Sequence, residues 1–327
     1  IELLLSEFAS AQSVVADPLV GSGTTLFESA RRSLACFGSE INPAAVVMSR
    51  TVHFVNLAPA QREAAIQKAK AAIYKHLPIH YEGGLFPPEA EGSCGEAAIA
   101  GAVNGMLLEV GAESLERDVI ANTAIRFMAS SAPRDTATFL SAFHAHSEII
   151  SSLPYGENPC RVFHCDARDL PLGDGAVDLV VTSPPYINVF NYHQNHRTAM
   201  ELLGWDLLKV AKSEFGSNRK NRGNRFLTVV QYAMDMLQAL IEMRRVLSPN
   251  GRIILVVGRE SNVRGVSFQN GRLVAALGVG GANLRLVLRQ ERKFKTKFGE
   301  TIYEDILHFV PSTEAISSGS GEFARGL

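Results

Sequence analysis

The sequence predicts an α/β fold, in which a central sheet is flanked by helices. Short apolar segments with the composition of strands alternate with longer segments of helical periodicity. Residues 13–16 run into a glycine-rich turn and then a helix, and residues 179–181 end at two consecutive prolines. With 327 residues and 46% hydrophobic content, the chain can form one large domain with an elaboration, or two domains.

The composition excludes few classes of function. The net charge of −1 does not indicate any particular partner. The four cysteines show no C-x-x-C spacing, so we expect a reducing, cytoplasmic setting and neither a disulfide framework nor a metal site. No apolar run approaches the ~20 residues that a membrane span requires, and the first residues lack the basic segment of a signal peptide. The Gly/Ser-rich tail over residues 313–327 is predicted to be disordered.

The first predicted α/β unit contains a glycine-rich turn. After a helix over residues 2–11 and the strand over 13–16, the turn D-P-L-V-G-S-G-T-T leads into a helix that ends near residue 32. Gly21 and Gly23 permit positive φ angles and close approach of a ligand to the backbone. Thr24 or Thr25 is expected to cap the helix, whose first N–H groups then face the ligand. The turn is not a Walker loop, because no lysine follows the second glycine.

An acidic residue ends the second predicted strand, over residues 34–40. Glu40 lies 17 residues after Gly23. An acid at the tip of this strand is where the ribose hydroxyls of a nucleotide-like ligand are held. The alternative is an ordinary solvated glutamate, but the glycine turn before it favours the ribose role. A helix opened by Asn42-Pro43 then continues toward His53.

Residues 57–156 are predicted to be a helical insertion in the α/β pattern. Helices are expected over 60–76, 96–110, 113–130 and 135–152, with a Gly/Pro break near 82–95. A crossover between neighbouring strands does not need about 100 residues. Residues 51–159 hold seven basic and twelve acidic side chains, a net charge of −5. The insertion is therefore a poor candidate for a phosphate-binding surface.

The strand pattern resumes at residues 160–166 and leads to the Pro-Pro loop. Asp166 ends the first of these strands and can accept a hydrogen bond from the amine of a bound purine. The next strand ends in Ser183-Pro184-Pro185-Tyr186, a stiff loop, because proline has no N–H to donate and holds the preceding residue extended. Ligands bind at the carboxyl edge of open α/β sheets. Taken alone, this loop fits a simple turn with a half-buried tyrosine as well as it fits a site.

Basic residues are concentrated in the C-terminal half. Residues 187–226 hold seven basic and three acidic side chains, and residues 252–298 hold ten and two, which give net charges of +4 and +8. The first segment suits phosphate binding, although a solvated loop is the alternative. A helix over 227–246, a turn at 248–251 and strands over 252–258, 283–290 and 301–310 complete the pattern.

Together these segments resemble the amino-group DNA methyltransferases that use S-adenosylmethionine. Residues 17–25 resemble their cofactor motif D-P-F-x-G-S-G-T-T, with Leu19 in place of phenylalanine. Residues 183–186 resemble the catalytic motif (D/N/S)-P-P-(Y/F). The Ser-Pro-Pro-Tyr version is most typical of the cytosine-N4 enzymes, although some adenine-N6 enzymes share it. The resemblance implies a class I, Rossmann-like catalytic domain over residues 1–56 and 157–312, with the insertion outside it.

The resemblance also implies roles for individual residues. Methyl transfer would take place at Ser183, Pro184, Pro185 and Tyr186, with Tyr186 stacking on a flipped base. S-adenosylmethionine would be bound by Asp17, Leu19, Gly21, Ser22, Gly23, Thr24, Glu40, Ile41, Asp166, Ala167 and Ser183. DNA would be contacted within residues 187–226, through Arg197, Arg219, Lys220, Arg222 and Arg225. DNA is the expected partner, and a cognate restriction endonuclease is a further candidate.

Three alternatives to a DNA methyltransferase stay open. An RNA methyltransferase acting on a base amine would use a related Pro-Pro loop. A catalytically silent nucleic-acid-binding module would keep the fold, although both motifs are intact here. A nucleotide-dependent oxidoreductase would share the glycine turn, but the Ser-Pro-Pro-Tyr loop has no role in hydride transfer.

Overall fold

A computed structural model describes residues 1–77, 95–187, 196–215, 226–296, 299 and 301–313. Within these residues, seven strands form one sheet in the order β3-β2-β1-β4-β5-β9-β8, and β6 and β7 form a separate hairpin. The strands are β1 Val14–Asp17, β2 Ala35–Glu40, β3 Cys160–His164, β4 Val177–Thr182, β5 Leu247–Gly258, β6 Ser261–Val263, β7 Val266–Phe268, β8 Leu284–Lys295 and β9 Thr301–Pro311.

The direction of the strands identifies the fold. Strands β3, β2, β1, β4 and β5 are parallel, whereas β9 is antiparallel to both of its neighbours, β5 and β8. A parallel sheet completed by one antiparallel strand inserted before the edge is the class I methyltransferase fold, as the sequence predicted. The order reverses between β1 and β4, and this reversal places a ligand crevice at their carboxyl ends.

Helices cover both faces of the sheet. On one face, Leu5, Leu26 and Val46 from three N-terminal helices pack with Val15, Leu179 and Ile254 of the strands. On the other face, the long helix near residue 240 and the helix after β7 pack on Leu255, Val257 and Leu307. The helices are α1 Glu2–Phe8, α2 Thr24–Arg31, α3 Pro43–Arg50, α4 Pro59–His76, α5 Glu96–Val110, α6 Leu115–Ala129, α7 Thr136–Ser152, α8 Arg197–Leu202, α9 Leu207–Ser213, α10 Phe226–Val246 and α11 Asn270–Gly281.

Helices α4 to α7 lie between β2 and β3 in the chain and share a hydrophobic core. That core includes Ile73, Met106, Phe127 and Phe139, which are fully buried, together with Met200 of α8. The predicted helix bounds agree with the structure to within two residues. Side-chain caps fix two of these ends, because Ser114 and Asp135 accept hydrogen bonds from the backbone N–H groups of Arg117 and Thr138. The division of the chain into a catalytic domain and an insertion stays a prediction.

The predicted turn at residues 248–251 is wrong. Strand β5 begins at Leu247 and runs without a break to Gly258. Its register on β4 shifts between Val177, which pairs with Leu247, and Leu179, which pairs with Arg252. The extra residues of β5 therefore form a bulge within the strand. Proline and glycine are tolerated at such irregularities. The last two strands also extend beyond their predicted ends.

The described part of the chain holds no helix that is at once long enough and apolar enough to cross a membrane. Over the same residues, no cluster of three or more His, Cys, Asp or Glu side chains is arranged to hold a metal ion.

Arg62 of α4 joins the two ends of the segment that carries α4 to α7. Its side chain is buried, with 2% of its surface exposed. The guanidinium donates hydrogen bonds to the carbonyls of Leu57 and Pro154, at 2.9 and 2.7 Å, and also to those of Val55 and Leu153. A buried arginine is tolerated only when its donors are satisfied, so this side chain fixes where the segment leaves and re-enters the sheet.

We predict that Arg62→Ala lowers the free energy of unfolding by roughly 3 kcal/mol, because it leaves buried carbonyls without donors. Urea denaturation followed by circular dichroism measures the change. The matched control is Lys68→Ala on the same helix, whose side chain is 74% exposed. It should alter stability by no more than about 0.5 kcal/mol. Equal losses in the two variants would show that the buried donors of Arg62 contribute nothing specific.

Candidate functional site

The carboxyl ends of the parallel strands bring the predicted site residues to one edge of the sheet. Asp17 ends β1, Glu40 ends β2, and Asp166 follows β3 by two residues. The Ser-Pro-Pro-Tyr loop begins directly after Thr182, the last residue of β4. Because β1 pairs with both β2 and β4, the glycine turn lies between Glu40 and the Pro-Pro loop.

The glycine turn after β1 has the conformation that its sequence indicates. Gly21 and Gly23 have φ angles of +51° and +98°, values that other residues adopt only with strain. A Cβ atom on Gly23 would lie 3.1 Å from Phe27 and 3.2 Å from the Ser49 backbone, whereas one on Gly21 would meet nothing within 4 Å. Gly23 therefore permits tight packing of α2, and Gly21 faces open space.

The predicted threonine cap is wrong. Gly23 is the N-cap residue of α2, and no side chain caps the helix. Thr24 is the exposed first residue of the helix. Thr25 is buried and donates its hydroxyl to the Val181 carbonyl at 3.3 Å, so it joins α2 to β4 instead. Without a side-chain cap, the first N–H groups of α2 are left for an anionic or polar ligand.

Glu40 links the tip of β2 to the glycine turn. Its Oε2 accepts a hydrogen bond from the Gly21 N–H at 3.0 Å, and its Oε1 accepts from the N–H groups of Ile41 and Asn42 at 2.9 and 3.0 Å. Burial raises the pKa of Glu40, the three N–H donors oppose the rise, and the nearby Asp17 carboxylate adds to it. An ionised carboxylate has about four acceptor positions, so Glu40 keeps acceptor capacity for a ligand hydroxyl.

Asp17 is 4% exposed and supports the turn from below. Its Oδ1 accepts a hydrogen bond from the Leu19 N–H at 3.2 Å. Burial raises the pKa of this carboxyl, and the hydroxyls of Thr182 and Thr25 and the Leu19 N–H oppose that rise. Asp17 therefore shapes the turn from within the protein, since little of its own surface is open to a ligand.

The other predicted cofactor residues differ in accessibility. Ser22 is exposed on the turn, whereas Leu19 packs partly buried against the hydrophobic core. Ile41 is half-buried, and its carbonyl lies 3.1 Å from His164 Nε2. Ala167 is buried, with 3% of its surface exposed. Of these residues, Ser22 is the most exposed, and Leu19 and Ile41 each keep part of their surface exposed.

Asp166 is held by an arginine that the sequence analysis did not single out. Arg168 donates to Asp166 through its backbone N–H and Nε at 2.9 Å and through Nη2 at 2.6 Å. Its Nη1 donates to the buried Asp235 of α10 at 2.6 Å. Three acceptor positions of Asp166 are thus used, and about one is left. Arg168 orients this carboxylate and ties the loop after β3 to α10.

The Ser-Pro-Pro-Tyr loop is fixed by contacts with β5 and β9. The exposed Ser183 hydroxyl donates to the Val256 carbonyl at 3.0 Å, and Pro184 is buried. The half-buried Tyr186 donates its hydroxyl to Glu304 Oε1 at 3.2 Å. Burial raises the pKa of Tyr186 above its ordinary value. The serine proton is donated to a carbonyl, and the serine oxygen, which also interacts with the Tyr186 hydroxyl, has lone pairs that can accept a hydrogen bond at the site.

Sequence reasoning missed Glu304 and Gly258, which contact Tyr186. A Cβ atom at Gly258 would lie 2.8 Å from the Tyr186 ring. The available signals were a glycine at the end of a buried strand, which indicates close approach of another group, and an acid inside a strand pattern. Neither signal indicates that the contacting residue is Tyr186, because the contact joins positions far apart in the chain.

The predicted DNA-contacting residues are only partly described. Arg197 is the first residue of α8, is exposed, and forms an ion pair with Glu201 at 2.9 Å. Arg219, Lys220, Arg222 and Arg225 lie outside the described residues. Their role in DNA binding stays a prediction.

No protein-family model matches the chain. Among curated proteins, the type II methyltransferase M.MjaII of Methanocaldococcus jannaschii is 27% identical over 128 residues. The match covers 39% of this chain and 23% of that protein, so the chain spans less than a quarter of the length of the relative it matches.

Solved structures with a similar fold include several methyltransferases. A SAM-dependent methyltransferase from Methanosarcina mazei matches over 95% of this chain and 98% of its own, with 11% identity and a TM-score of 0.42. Geranyl diphosphate C-methyltransferase from Streptomyces coelicolor, in complex with S-adenosyl-L-homocysteine, matches over 94% and 77%, with 9% identity and a TM-score of 0.40. Because these TM-scores are below 0.5, the likenesses give no information about the substrate of this chain. The residues of the site are the basis for inferring it.

We predict that Asp17→Asn stabilises the protein at neutral pH. Because the pKa of Asp17 is raised in the folded state, the folded protein binds this proton more tightly than the unfolded chain. The contribution of the Asp17 carboxyl to the free energy of unfolding is therefore present at acidic pH. It is lost as the pH rises through the raised pKa of this carboxyl. The variant should exceed the native chain in free energy of unfolding at pH 7, and the difference should shrink as the pH falls toward about 4. Urea denaturation across this range measures it.

A difference that is independent of pH would contradict the burial of this charge. The substitution Glu157→Gln, at an exposed position, is the control and should show no such dependence.

Proposed function

We propose that the chain is an S-adenosylmethionine-dependent methyltransferase that modifies the exocyclic amine of a DNA base, with cytosine N4 favoured. The observation that carries this proposal is the Ser183 hydroxyl, which donates its proton to Val256 and so presents an acceptor oxygen at the carboxyl edge. An acceptor at that position suits an amine, whose hydrogens must be held while its nitrogen reacts. A carbon substrate has no polar hydrogen that such an acceptor could hold.

The residues at the edge of the sheet fit the cofactor. Glu40 keeps acceptor capacity for ribose hydroxyls, and the turn at Gly21 opens onto free space. The remaining acceptor position of Asp166 suits the adenine amine. When bound, S-adenosylmethionine supplies a methyl group on a positively charged sulfur. The proposed cofactor agrees with the curated relative, which is named a methyltransferase.

The loop residues activate the amine by geometry. A ring-conjugated amine is a weak nucleophile, because its lone pair is delocalised into the ring. Hydrogen bonds from its two hydrogens to Ser183 Oγ and to the Pro184 carbonyl would hold them out of the ring plane and localise that lone pair. Pro185 adds no competing N–H and keeps the loop stiff. Orientation for in-line attack then supplies much of the rate, so no strong general base is needed.

In this proposal Tyr186 receives the base. A base inside a duplex cannot reach this loop, so it must leave the stack at a cost of a few kcal/mol. Stacking on an aromatic ring returns roughly 1–3 kcal/mol. The half-buried ring of Tyr186, fixed by Gly258 and Glu304, offers such a surface beside Ser183.

DNA is favoured as the substrate by charge and by the curated relative. The basic segments 187–226 and 252–298 lie after the Pro-Pro loop in the chain, and the relative is a type II methyltransferase. We therefore propose a role in restriction-modification, with a cognate endonuclease as a partner, in the cytoplasm. Serine at the head of the loop favours cytosine N4 over adenine N6. RNA is the rival substrate, and the experiment must distinguish methylation of RNA from methylation of DNA.

We predict that DNA from cells expressing the chain contains N4-methylcytosine. Nucleoside mass spectrometry of hydrolysed DNA measures it, with total RNA from the same cells hydrolysed in parallel. Ser183→Ala should reduce the modification by about 10²-fold or more, because the amine loses one of its two acceptors. Detection of N6-methyladenine in place of N4-methylcytosine would show that the target base is adenine and not cytosine. Modified RNA with unmodified DNA would overturn the proposed substrate.

We also predict that Arg219→Ala and Arg222→Ala weaken DNA binding and flatten its salt dependence. Each lost phosphate contact should lower the slope of log affinity against log salt by roughly 1. Fluorescence anisotropy with duplex DNA at several salt concentrations measures the slope. Arg134→Ala, which removes an arginine from the acidic insertion, is the matched control and should leave the slope unchanged. If all three variants behave alike, the 187–226 segment does not bind phosphates.

A further inference from the structure

Tyr186 is held at two points by residues outside its own loop and strand. Its hydroxyl donates to Glu304 Oε1 at 3.2 Å, and its ring lies against Gly258 at the end of β5. Gly258 and Glu304 are direct partners in the β5–β9 ladder. One ladder pair thus supplies both the surface under the ring and the acceptor for its hydroxyl.

The glycine is required by this arrangement. A Cβ atom at residue 258 would lie 2.8 Å from Tyr186 Cε2 and 3.0 Å from Cδ2, distances that carbon atoms do not adopt without displacement. Residue 258 has no positive φ, so conformational freedom does not explain why it is glycine. Close packing of the Tyr186 ring explains it.

Glu304 has a further contact that explains how its carboxylate is kept in place. The residue is 9% exposed, and its Oε2 is buried without a hydrogen-bond partner among the described residues. Arg292, its cross-strand partner on β8, places Nη1 3.4 Å from that oxygen. This ion pair offsets part of the cost of burying the carboxylate and holds it against β8.

We propose that Glu304 is a positioning residue, which fixes the Tyr186 ring so that a flipped base stacks on it in register with Ser183. This inference rests on the proposed function, in which Tyr186 receives the base. Loss of the acceptor on β9 removes the contact that joins the Tyr186 hydroxyl to the ladder, so the ring is held less tightly. In well-oriented sites a displacement of about 1 Å at the stacking surface costs about 10²-fold in rate, so the smaller displacement expected here should cost about tenfold.

A role of Glu304 that acts through Tyr186 can be distinguished from a general role in holding the β8–β9 hairpin together. A control variant in the same hairpin makes the distinction. Neighbouring side chains alternate between the faces of a strand. Glu291, in the adjacent ladder pair, therefore lies on the opposite face of the same hairpin, where it forms an ion pair with Arg259. Its removal disturbs the hairpin without touching the loop. Glu291→Ala is thus the matched control for Glu304→Ala.

The test is a double-mutant cycle on initial rates of methyl transfer from tritiated S-adenosylmethionine to bacteriophage DNA. Glu304→Ala and Tyr186→Phe should each lower kcat about tenfold, and the double variant should be no slower than either single variant. Glu304→Gln keeps an acceptor oxygen and should recover most of the rate. The dissociation constant for S-adenosylmethionine should not change, because Glu304 does not contact the cofactor turn. Glu291→Ala should stay within about twofold of the native rate.

Additive losses in the double variant would overturn the inference, because Glu304 would then act independently of the Tyr186 hydroxyl. A loss with Glu291→Ala as large as with Glu304→Ala would overturn it too, since the hairpin as a whole would be responsible. In both cases the native chain still methylates DNA, so the proposed function stands.

A second measurement needs no substrate and applies even if the native chain does not methylate DNA. The chain contains seven tyrosines, so fluorine NMR on 3-fluorotyrosine-labelled protein is tractable, and Tyr186→Phe assigns the Tyr186 signal. Glu304→Ala should shift that signal, and Glu291→Ala should not. An unchanged signal in Glu304→Ala would show that Glu304 does not hold the ring.

Discussion

The parallel pairing of β1 with β4 is the constraint on which the rest of the site depends. The two strands are far apart in the chain, and the Val14 N–H reaches the Asp178 carboxylate across 164 residues. Because the strands are parallel, their carboxyl ends meet at one edge of the sheet. The glycine turn after Asp17 and the loop at Ser183 are therefore neighbours. Without this pairing, each motif would be an isolated turn.

Placing polar groups at this edge has a cost that the structure distributes among several contacts. Asp17 is buried and Glu40 is partly buried close to it, and burial raises the pKa of both. Backbone N–H groups of the turn and of the chain after β2 offset part of the cost by donating to these carboxylates. The same hydrogen bonds fix the shape of the turn. Stability and preorganisation therefore come from one set of contacts, which is the usual compromise at functional sites.

Local signals were sufficient where one residue type dictates the backbone. The glycines at 21 and 23 require positive φ, and the prolines at 184 and 185 exclude further sheet pairing. The turn and the loop could therefore be predicted from the sequence, and so could the α/β fold. The predicted break at 248–251 failed because tertiary pairing absorbed a turn-like sequence into β5 as a bulge.

Residues whose role depends on distant partners could not be predicted. Arg168 satisfies Asp166 and Asp235, which lies 67 residues away, and Glu304 meets Tyr186 across 118 residues. The expected threonine cap failed for the same reason, because Thr25 bonds to Val181 of β4 instead of to its own helix. Hydrophobic periodicity says which face of an element is buried. It does not say which side chain on another element completes a hydrogen bond.

The four helices between β2 and β3 show how a long segment can enter this sheet without disturbing the site. The Gly156 N–H donates to the Val55 carbonyl at 3.1 Å, so the two ends of the segment meet. Asn56 then donates to the carbonyls of Gly156 and Asn158, at 2.8 and 2.7 Å, just before β3 begins. Closing a longer loop costs only about 0.6 kcal/mol for each doubling of its length. Joining the ends in this way lets β3 pair with β2 although four helices lie between them in the chain. These helices still contribute beside the sheet, because their core includes Val47 of α3 and Met200 of α8. The closing contacts therefore fix where the segment enters, and its packing on α3 and α8 fixes how it lies against the rest of the chain.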